Sequence, residues 1–162
     1  MAIRHPERID RLIAASVAYD MEGMQPDFIA FLPQLTPELF VGTPFEEEWR
    51  KLAPDPEGYP AVVEKLIALE FEPMAWGEDV AEIEAPVLII AGDADTATLE
   101  HTVEMFRLLG GGVMGDLGKP LPASRLAILP GTSHTAVIGQ AELLHSLIEP
   151  FLEGETPKGM FD

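Results

Sequence analysis

The strongest constraint on the fold comes from two short, largely apolar segments, "APVLIIAG" at 85–92 and "RLAILP" at 125–130. An apolar run without polar alternation is typical of a parallel strand that helices cover on both faces. Between the two segments, Thr98 to Leu109 predicts a helix that three glycines at 110–112 bring to an end. A strand, a helix and a second strand in this order indicate a right-handed crossover in an α/β layered domain.

The rest of the chain extends this layered pattern at both ends. Ile9 to Ser16 contains a β-type apolar run and predicts a first strand. From about residue 19 to 78 prolines are frequent and short helical patterns replace strands; Thr43, followed three residues later by Glu46, predicts a helix with a capping box. The last helix is predicted by apolar residues at spacings of three and four: Leu144, Leu147, Ile148, Phe151 and Leu152.

These elements predict an α/β fold with three parallel strands, flanking helices and an inserted helical layer. The core is expected at 1–18 and 79–153, the helical layer at 19–78, and a frayed tail at 154–162. A chain of 162 residues is long enough to bury a core of useful size.

Composition excludes several classes of function. The 28 acidic and 10 basic residues give a net charge of −18, which repels nucleic acids and anionic membrane surfaces. The absence of cysteine excludes disulfides, cysteine-ligated zinc and a thiol nucleophile. The apolar run from Leu12 to Ala18 is too short for a signal peptide or a membrane span, so a cytoplasmic protein is expected.

Two turns that follow predicted strands carry candidate catalytic residues. Asp95 lies three residues after Gly92 in "AGDAD", and His134 lies three residues after Gly131 in "PGTSH". Function collects at the carboxyl ends of parallel strands, and one crossover makes these two strands neighbours. We therefore expect the carboxyl and the imidazole to be close in space. A carboxylate beside a histidine fixes its tautomer, so that the imidazole can take a proton from an attacking hydroxyl.

The sequence resembles the α/β-hydrolases in "HPERIDRLIAAS", "APVLIIAGDADTATLEHTVEMF" and "LAILPGTSHTAVI". The resemblance implies the C-terminal part of that fold, with a helical cap after the first strand. It also implies that Asp95 is the acid and His134 the base of a triad. Two departures are a long loop at 110–123 and Leu99, where many members have proline. Neither departure removes a group that the chemistry needs.

The nucleophile of such a triad is not found in this sequence. The family carries it, as a serine, aspartate or cysteine, in a Gly-x-x-x-Gly elbow one helix before "HPER", and no Gly-x-Ser-x-Gly motif occurs here. We therefore expect a chain that lacks both the nucleophile and the oxyanion loop and is inactive alone. Ser16 and Ser133 lie near the two turns, but both are interpreted as ordinary strand-end residues.

Other residues are given non-catalytic interpretations. Asp93 is expected to bind turn amides, and Asp20, just after the first strand, is an alternative acid. The remaining histidines, His5, His101 and His145, are expected to be solvated. No spacing typical of metal ligands occurs, and the resemblance implies no cofactor.

The expected activity is therefore hydrolysis of a small-molecule ester, lactone or similar carbonyl substrate. A non-catalytic binding or assembly module with the same fold is the alternative. A homo-oligomer is expected, because the first strand would have an unpaired edge with no charge between Leu12 and Ala18.

Overall fold

The computed structural model describes residues 1–74, 76–116 and 119–157. They fall into two compact units, one of Met1–Gln25 with the described residues of Met74–Asp162, and one of Pro26–Pro73. In the first unit the described residues form a parallel sheet in the order β1-β2-β3. The strands are β1 (Leu12–Ala15), β2 (Val87–Ala94) and β3 (Arg125–Ser133). The predicted α/β class and the pairing of the last two strands are confirmed.

Helices flank this sheet and also make up the second unit. The α-helices among the described residues are, in chain order, α1 (Pro26–Phe31), α2 (Pro44–Leu52), α3 (Tyr59–Glu70), α4 (Gly77–Val80), α5 (Leu99–Leu108) and α6 (Ala141–Leu152). The predicted helix between β2 and β3 differs by one residue at each end. Thr98 lies outside α5 as its N-cap, and its hydroxyl oxygen accepts a hydrogen bond from the backbone N–H of His101 at 3.2 Å.

The central strand β2 has apolar clusters on both of its faces. Val87 and Ile89 belong to a cluster that includes residues of α5, whereas Leu88 and Ile90 pack with Phe151 of α6. Successive side chains of a strand point to opposite faces, so an unbroken apolar run supplies both clusters. Ile90 and Phe151 have no exposed surface at all. The position of the carboxyl end of β2 is therefore fixed by packing on both sides.

All three strands differ in length from their predictions. The first was expected from Ile9 to Ser16, but β1 begins only at Leu12, because a 3₁₀ turn at Pro6–Arg8 and its C-cap Ile9 precede it. It ends before Ser16, whose φ of +52° is left-handed. The strands β2 and β3 continue past their apolar runs into the two turns that carry the candidate residues.

The unit Pro26–Pro73 consists of short helices around buried Val63 and Tyr59. The predicted capping box takes a different form. The hydroxyl of Thr43 donates to a backbone carbonyl, and Glu46 accepts from the N–H of Gly42 at 2.7 Å instead of from the N–H of Thr43. The predicted division of the chain into a core and a cap remains a prediction.

The described residues contain no helix that combines the length and the apolar character needed to cross a membrane. The predicted tail is described as far as Pro157, and its last five residues, 158–162, lie outside the described residues. In the loop at 110–123, positions 117 and 118 also lie outside them.

Candidate active site

Asp95 and His134 meet at the carboxyl edge of the sheet. Oδ1 of Asp95 is 2.8 Å from Nδ1 of His134, within hydrogen-bond distance. The side chain of Asp95 is fully buried, whereas that of His134 is 45% exposed. The expected proximity of the two groups is therefore confirmed, and the geometry is that of a carboxylate that orients an accessible imidazole.

A local irregularity of β3 brings the two residues opposite each other. Gly92 pairs with Leu129, but Ala94 pairs with Ser133, so β3 uses two more residues than β2 over this stretch. Pairing resumes at Ala94 and Ser133, where the two strands end. The residues that follow are the two candidates, Asp95 and His134. Bulges of this kind redirect side chains at the ends of strands.

The bulge is held by a carboxylate and by a close approach of two backbones. Asp93 accepts hydrogen bonds from the N–H groups of Gly131 at 2.9 Å and Thr132 at 3.0 Å. These bonds lower the pKa of Asp93, because they stabilise its charged form. A Cβ atom on Gly92 would lie only 2.0 Å from the carbonyl oxygen of Thr132. Asp93 thus binds turn amides as predicted, but those of the neighbouring strand.

Both carboxylate oxygens of Asp95 accept hydrogen bonds from more than one group. Oδ2 accepts from the hydroxyl of Ser16 at 2.7 Å and from the N–H of Gly92 at 3.0 Å. Oδ1, which faces His134, also accepts from the N–H of Thr96 at 2.8 Å. Burial by itself raises the pKa of Asp95, but these hydrogen bonds to the carboxylate outweigh it and hold that pKa well below its ordinary value. The carboxylate is therefore ionised throughout the physiological pH range.

Two members of this network have roles that sequence reasoning missed. Thr96 was not singled out, yet its hydroxyl is 3.2 Å from Nδ1 of His134 and 3.4 Å from Oδ1 of Asp95. Ser16 was interpreted as an ordinary strand-end residue, yet it donates directly to Asp95. The only signal in the sequence was position, since Thr96 follows Asp95 and Ser16 ends the predicted first strand.

The alternative acid and the other histidines lie in different surroundings. Oδ1 of Asp20 accepts from the N–H of Glu22 at 2.9 Å and so caps a 3₁₀ turn. His5 and His145 are solvated, as expected. The expectation for His101 is wrong: its ring is buried, stacks on Tyr19 with 3.9 Å between ring centroids, and accepts the Tyr19 backbone N–H at Nε2.

No group of three or more His, Asp or Glu side chains that could hold a metal ion occurs among residues 1–74, 76–116 and 119–157. The described geometry of the site is that of a buried carboxylate within hydrogen-bond distance of an imidazole.

Similarity to known proteins is found in their solved structures. No protein-family model matches the chain, and no curated protein sequence matches it. Solved structures do match it, among them a meta-cleavage product hydrolase from Pseudomonas fluorescens, which is 17% identical, covers 94% of this chain and has a TM-score of 0.54. An enol-lactonase from Burkholderia xenovorans is 22% identical, covers 94% of this chain and has a TM-score of 0.52.

A third match is an α/β-hydrolase enzyme from a Medee basin deep-sea metagenome library. It is 14% identical to the chain, covers 99% of it and has a TM-score of 0.61. The chain spans only part of these relatives: 58% of the meta-cleavage product hydrolase, 59% of the enol-lactonase and 62% of the metagenomic enzyme. The sheet order, the flanking helices and these structural matches together show that the chain has part of the α/β-hydrolase fold.

Proposed function

We propose that this chain supplies the acid and the base of a hydrolase triad, with Asp95 as the acid and His134 as the base. The observation that carries the proposal is the 2.8 Å contact between Oδ1 of Asp95 and Nδ1 of His134. A buried carboxylate on Nδ1 leaves Nε2 of a half-exposed imidazole as the ring nitrogen that can take a proton.

The reaction that this pair supports is acyl transfer to a serine and then to water. The serine oxygen forms a bond to the substrate carbonyl carbon as its proton moves to Nε2 of His134. The same proton then passes to the leaving group, whose bond to carbon breaks. Asp95 stays ionised and stabilises the imidazolium during this step. The substrate class is a small ester, lactone or similar carbonyl compound, and an enol-lactonase is among the similar structures.

The nucleophile in this proposal belongs to a part of the fold that the chain does not span. Ser16 contacts the pair, but its hydroxyl donates to Oδ2 of Asp95 at 2.7 Å. Its proton is thus directed at a carboxylate whose pKa lies far below the range of a general base. Ser133 precedes His134 in the chain, and adjacent residues at a turn point in different directions. For these reasons, neither serine is assigned as the nucleophile.

The test joins this chain to the nucleophile-bearing part of an α/β-hydrolase and measures hydrolysis of p-nitrophenyl acetate. We expect no activity of the chain alone, activity of the joined protein, and a loss of about a thousandfold or more on His134→Ala or Asp95→Asn. His145→Ala is the matched control, because this solvated histidine on α6 also lies beside a carboxylate, with its Nδ1 3.6 Å from Oε2 of Glu149. Full activity of the joined His134→Ala protein would refute the proposed base, and His134-dependent activity of the chain alone would place the nucleophile within it.

A second candidate, assembly without catalysis, is favoured by the outer edge of β1. In the described sheet β1 has β2 on one side only. Beside it lies a cavity of about 290 Å³ lined by apolar residues that include Leu12, Ala14 and Val17. We propose a second copy of this chain as the occupant of the edge, paired antiparallel across a two-fold axis. Pairing centred on Ile13 places Arg11 opposite Ala15, so no like charges face each other within the strand.

A further inference from the structure

We infer that Ser16 is a positioning residue that holds the Asp95 carboxylate in the orientation His134 requires. This role rests on the proposed function of the pair, because it concerns how the acid is aligned with the base. In this role Ser16 acts through Asp95 and not on the substrate. The observation behind it is a chain of side-chain contacts that joins the ends of all three strands: Ser16 after β1, Asp95 after β2 and His134 after β3.

The backbone of Ser16 has an unfavourable conformation. Its φ of +52° makes it the one residue other than glycine with a positive φ in the described part of the chain. Its N–H still donates to the carbonyl of Ile90 at 2.8 Å, so the residue is tied to β2. A left-handed residue with a Cβ atom carries a free-energy cost that glycine would avoid. A contact of the side chain supplies a gain that offsets this cost.

That gain is a short hydrogen bond to the acid. The hydroxyl of Ser16 donates to Oδ2 of Asp95 at 2.7 Å, and the N–H of Gly92 donates to the same oxygen at 3.0 Å. Two donors on Oδ2 fix the rotation of the carboxylate plane, and this leaves Oδ1 directed at Nδ1 of His134 at 2.8 Å. Without the hydroxyl, Oδ2 keeps one backbone donor, which constrains its position but determines the carboxylate plane less strictly.

The hydrogen bond also affects the charge of the acid. Burial raises the pKa of Asp95, and the bond from Ser16 is one of those that reverse this effect. A buried carboxylate that loses a donor becomes easier to protonate, and a protonated acid no longer stabilises an imidazolium. Ser16 therefore supports both the orientation and the ionisation of Asp95.

The test measures the state of the His134 ring by nitrogen and proton NMR on the 162-residue chain, so it needs no nucleophile. The variants are Ser16→Gly, which removes the hydroxyl and the backbone cost together, and Ser16→Ala, which removes the hydroxyl alone. Ser146→Ala is the matched control, because that hydroxyl donates to the Leu143 carbonyl within α6. Asp95→Asn provides the reference for a lost carboxylate.

In Ser16→Gly and Ser16→Ala we expect the Nδ1 proton of His134 to exchange with water about tenfold faster than in the wild type, as for loss of one bond to a charged group. The nitrogen chemical shifts of the His134 ring report its tautomer even where the ring proton exchanges too fast to be observed. These shifts should move toward the values found in Asp95→Asn. The Ser146→Ala control should match the wild type.

Unchanged nitrogen shifts and exchange in Ser16→Gly would overturn the inference and leave Ser16 a purely structural role. Ser16→Gly keeps this test open even if Ser16→Ala does not fold, because glycine adopts the left-handed conformation freely. The joined protein separates the two proposals. If it is inactive while the Ser16 variants disturb His134, the proposed function fails and the positioning role of Ser16 stands.

Discussion

The close approach of β2 and β3 at Gly92 yields a stability prediction that also concerns the candidate site. A Cβ atom added at this position would lie 2.0 Å from the carbonyl oxygen and 2.7 Å from the carbonyl carbon of Thr132. Both atoms belong to the backbone, so no side-chain rotation can relieve the clash. Gly92→Ala must therefore separate the two strands where Asp93 binds the amide of Thr132.

The cost of this substitution follows from the atoms that have to move. Inserting an extra methyl group into a packed site typically costs about 1–3 kcal/mol. Because the neighbouring atoms here belong to the backbone and cannot rotate away, we expect a cost at the upper end, near 3 kcal/mol. For a chain of this size, each kcal/mol lowers the melting temperature by roughly 2–4 °C. We therefore expect Gly92→Ala to melt about 6–12 °C below the wild type.

Thermal unfolding followed by circular dichroism measures this difference. Gly77→Ala is the matched control, because a Cβ atom at the start of α4 would meet nothing within 4 Å. That control should melt at or slightly above the wild-type temperature, since alanine favours a helix more than glycine does. A Gly92→Ala protein that melts within about 2 °C of both would refute the argument that the approach of β2 and β3 leaves no room for a side chain.

Two further predictions concern other parts of the sheet unit. His101→Ala should lower the free energy of unfolding by about 2–4 kcal/mol in urea titrations at pH 8, because it removes a ring stack and leaves the Tyr19 N–H without its acceptor. Burial lowers the pKa of His101 and outweighs the carboxylates of Glu104 and Asp20, which raise it. As the pH falls, this histidine is therefore protonated in the unfolded chain before it is protonated in the folded one, and wild-type stability should fall below about pH 6.5. An equal fall in His101→Ala would contradict this assignment. For the proposed edge-to-edge dimer, light scattering at micromolar concentration should give twice 17.7 kDa, and Ala15→Lys should shift the mass toward the monomer whereas Leu66→Lys on α3 should not. A wild-type mass of 17.7 kDa would exclude a second copy as the partner of β1.

The parts of the fold that sequence predicts best are those that depend on burial alone. The run that became β2 has to be covered on both faces, and it contributes to both apolar clusters. The pairing of β2 with β3 followed from the single crossover between them. Because both turns follow neighbouring parallel strands, Asp95 and His134 had to lie at the same edge. The contact between Asp95 and His134 was therefore predictable without any knowledge of side-chain geometry.

Features that depend on individual atoms were not predictable. The bulge in β3 depends on the Asp93 carboxylate reaching two amides of another strand, and the apolar pattern contains no trace of it. The burial of His101 depends on Gly23, where a Cβ atom would lie 2.1 Å from the imidazole ring. A polar residue on a helix is solvated by default, and the space that this ring occupies requires a glycine at a distant position.

The two strands that position Asp95 and its hydroxyl donor Ser16 differ in how firmly they are held. Asp95 follows β2, whose residues Val87 to Ala91 are all buried and are packed on both faces. Its hydroxyl donor, Ser16, follows β1, which is an edge strand of four residues in the described sheet. Local opening begins at such edges, because few backbone hydrogen bonds and apolar contacts oppose it. A segment that pairs with the outer edge of β1 would therefore hold Ser16 in place and, through its hydroxyl, reduce the motion of the Asp95 carboxylate. The proposed assembly edge and the Asp95–His134 pair are thus connected through the side chain of Ser16.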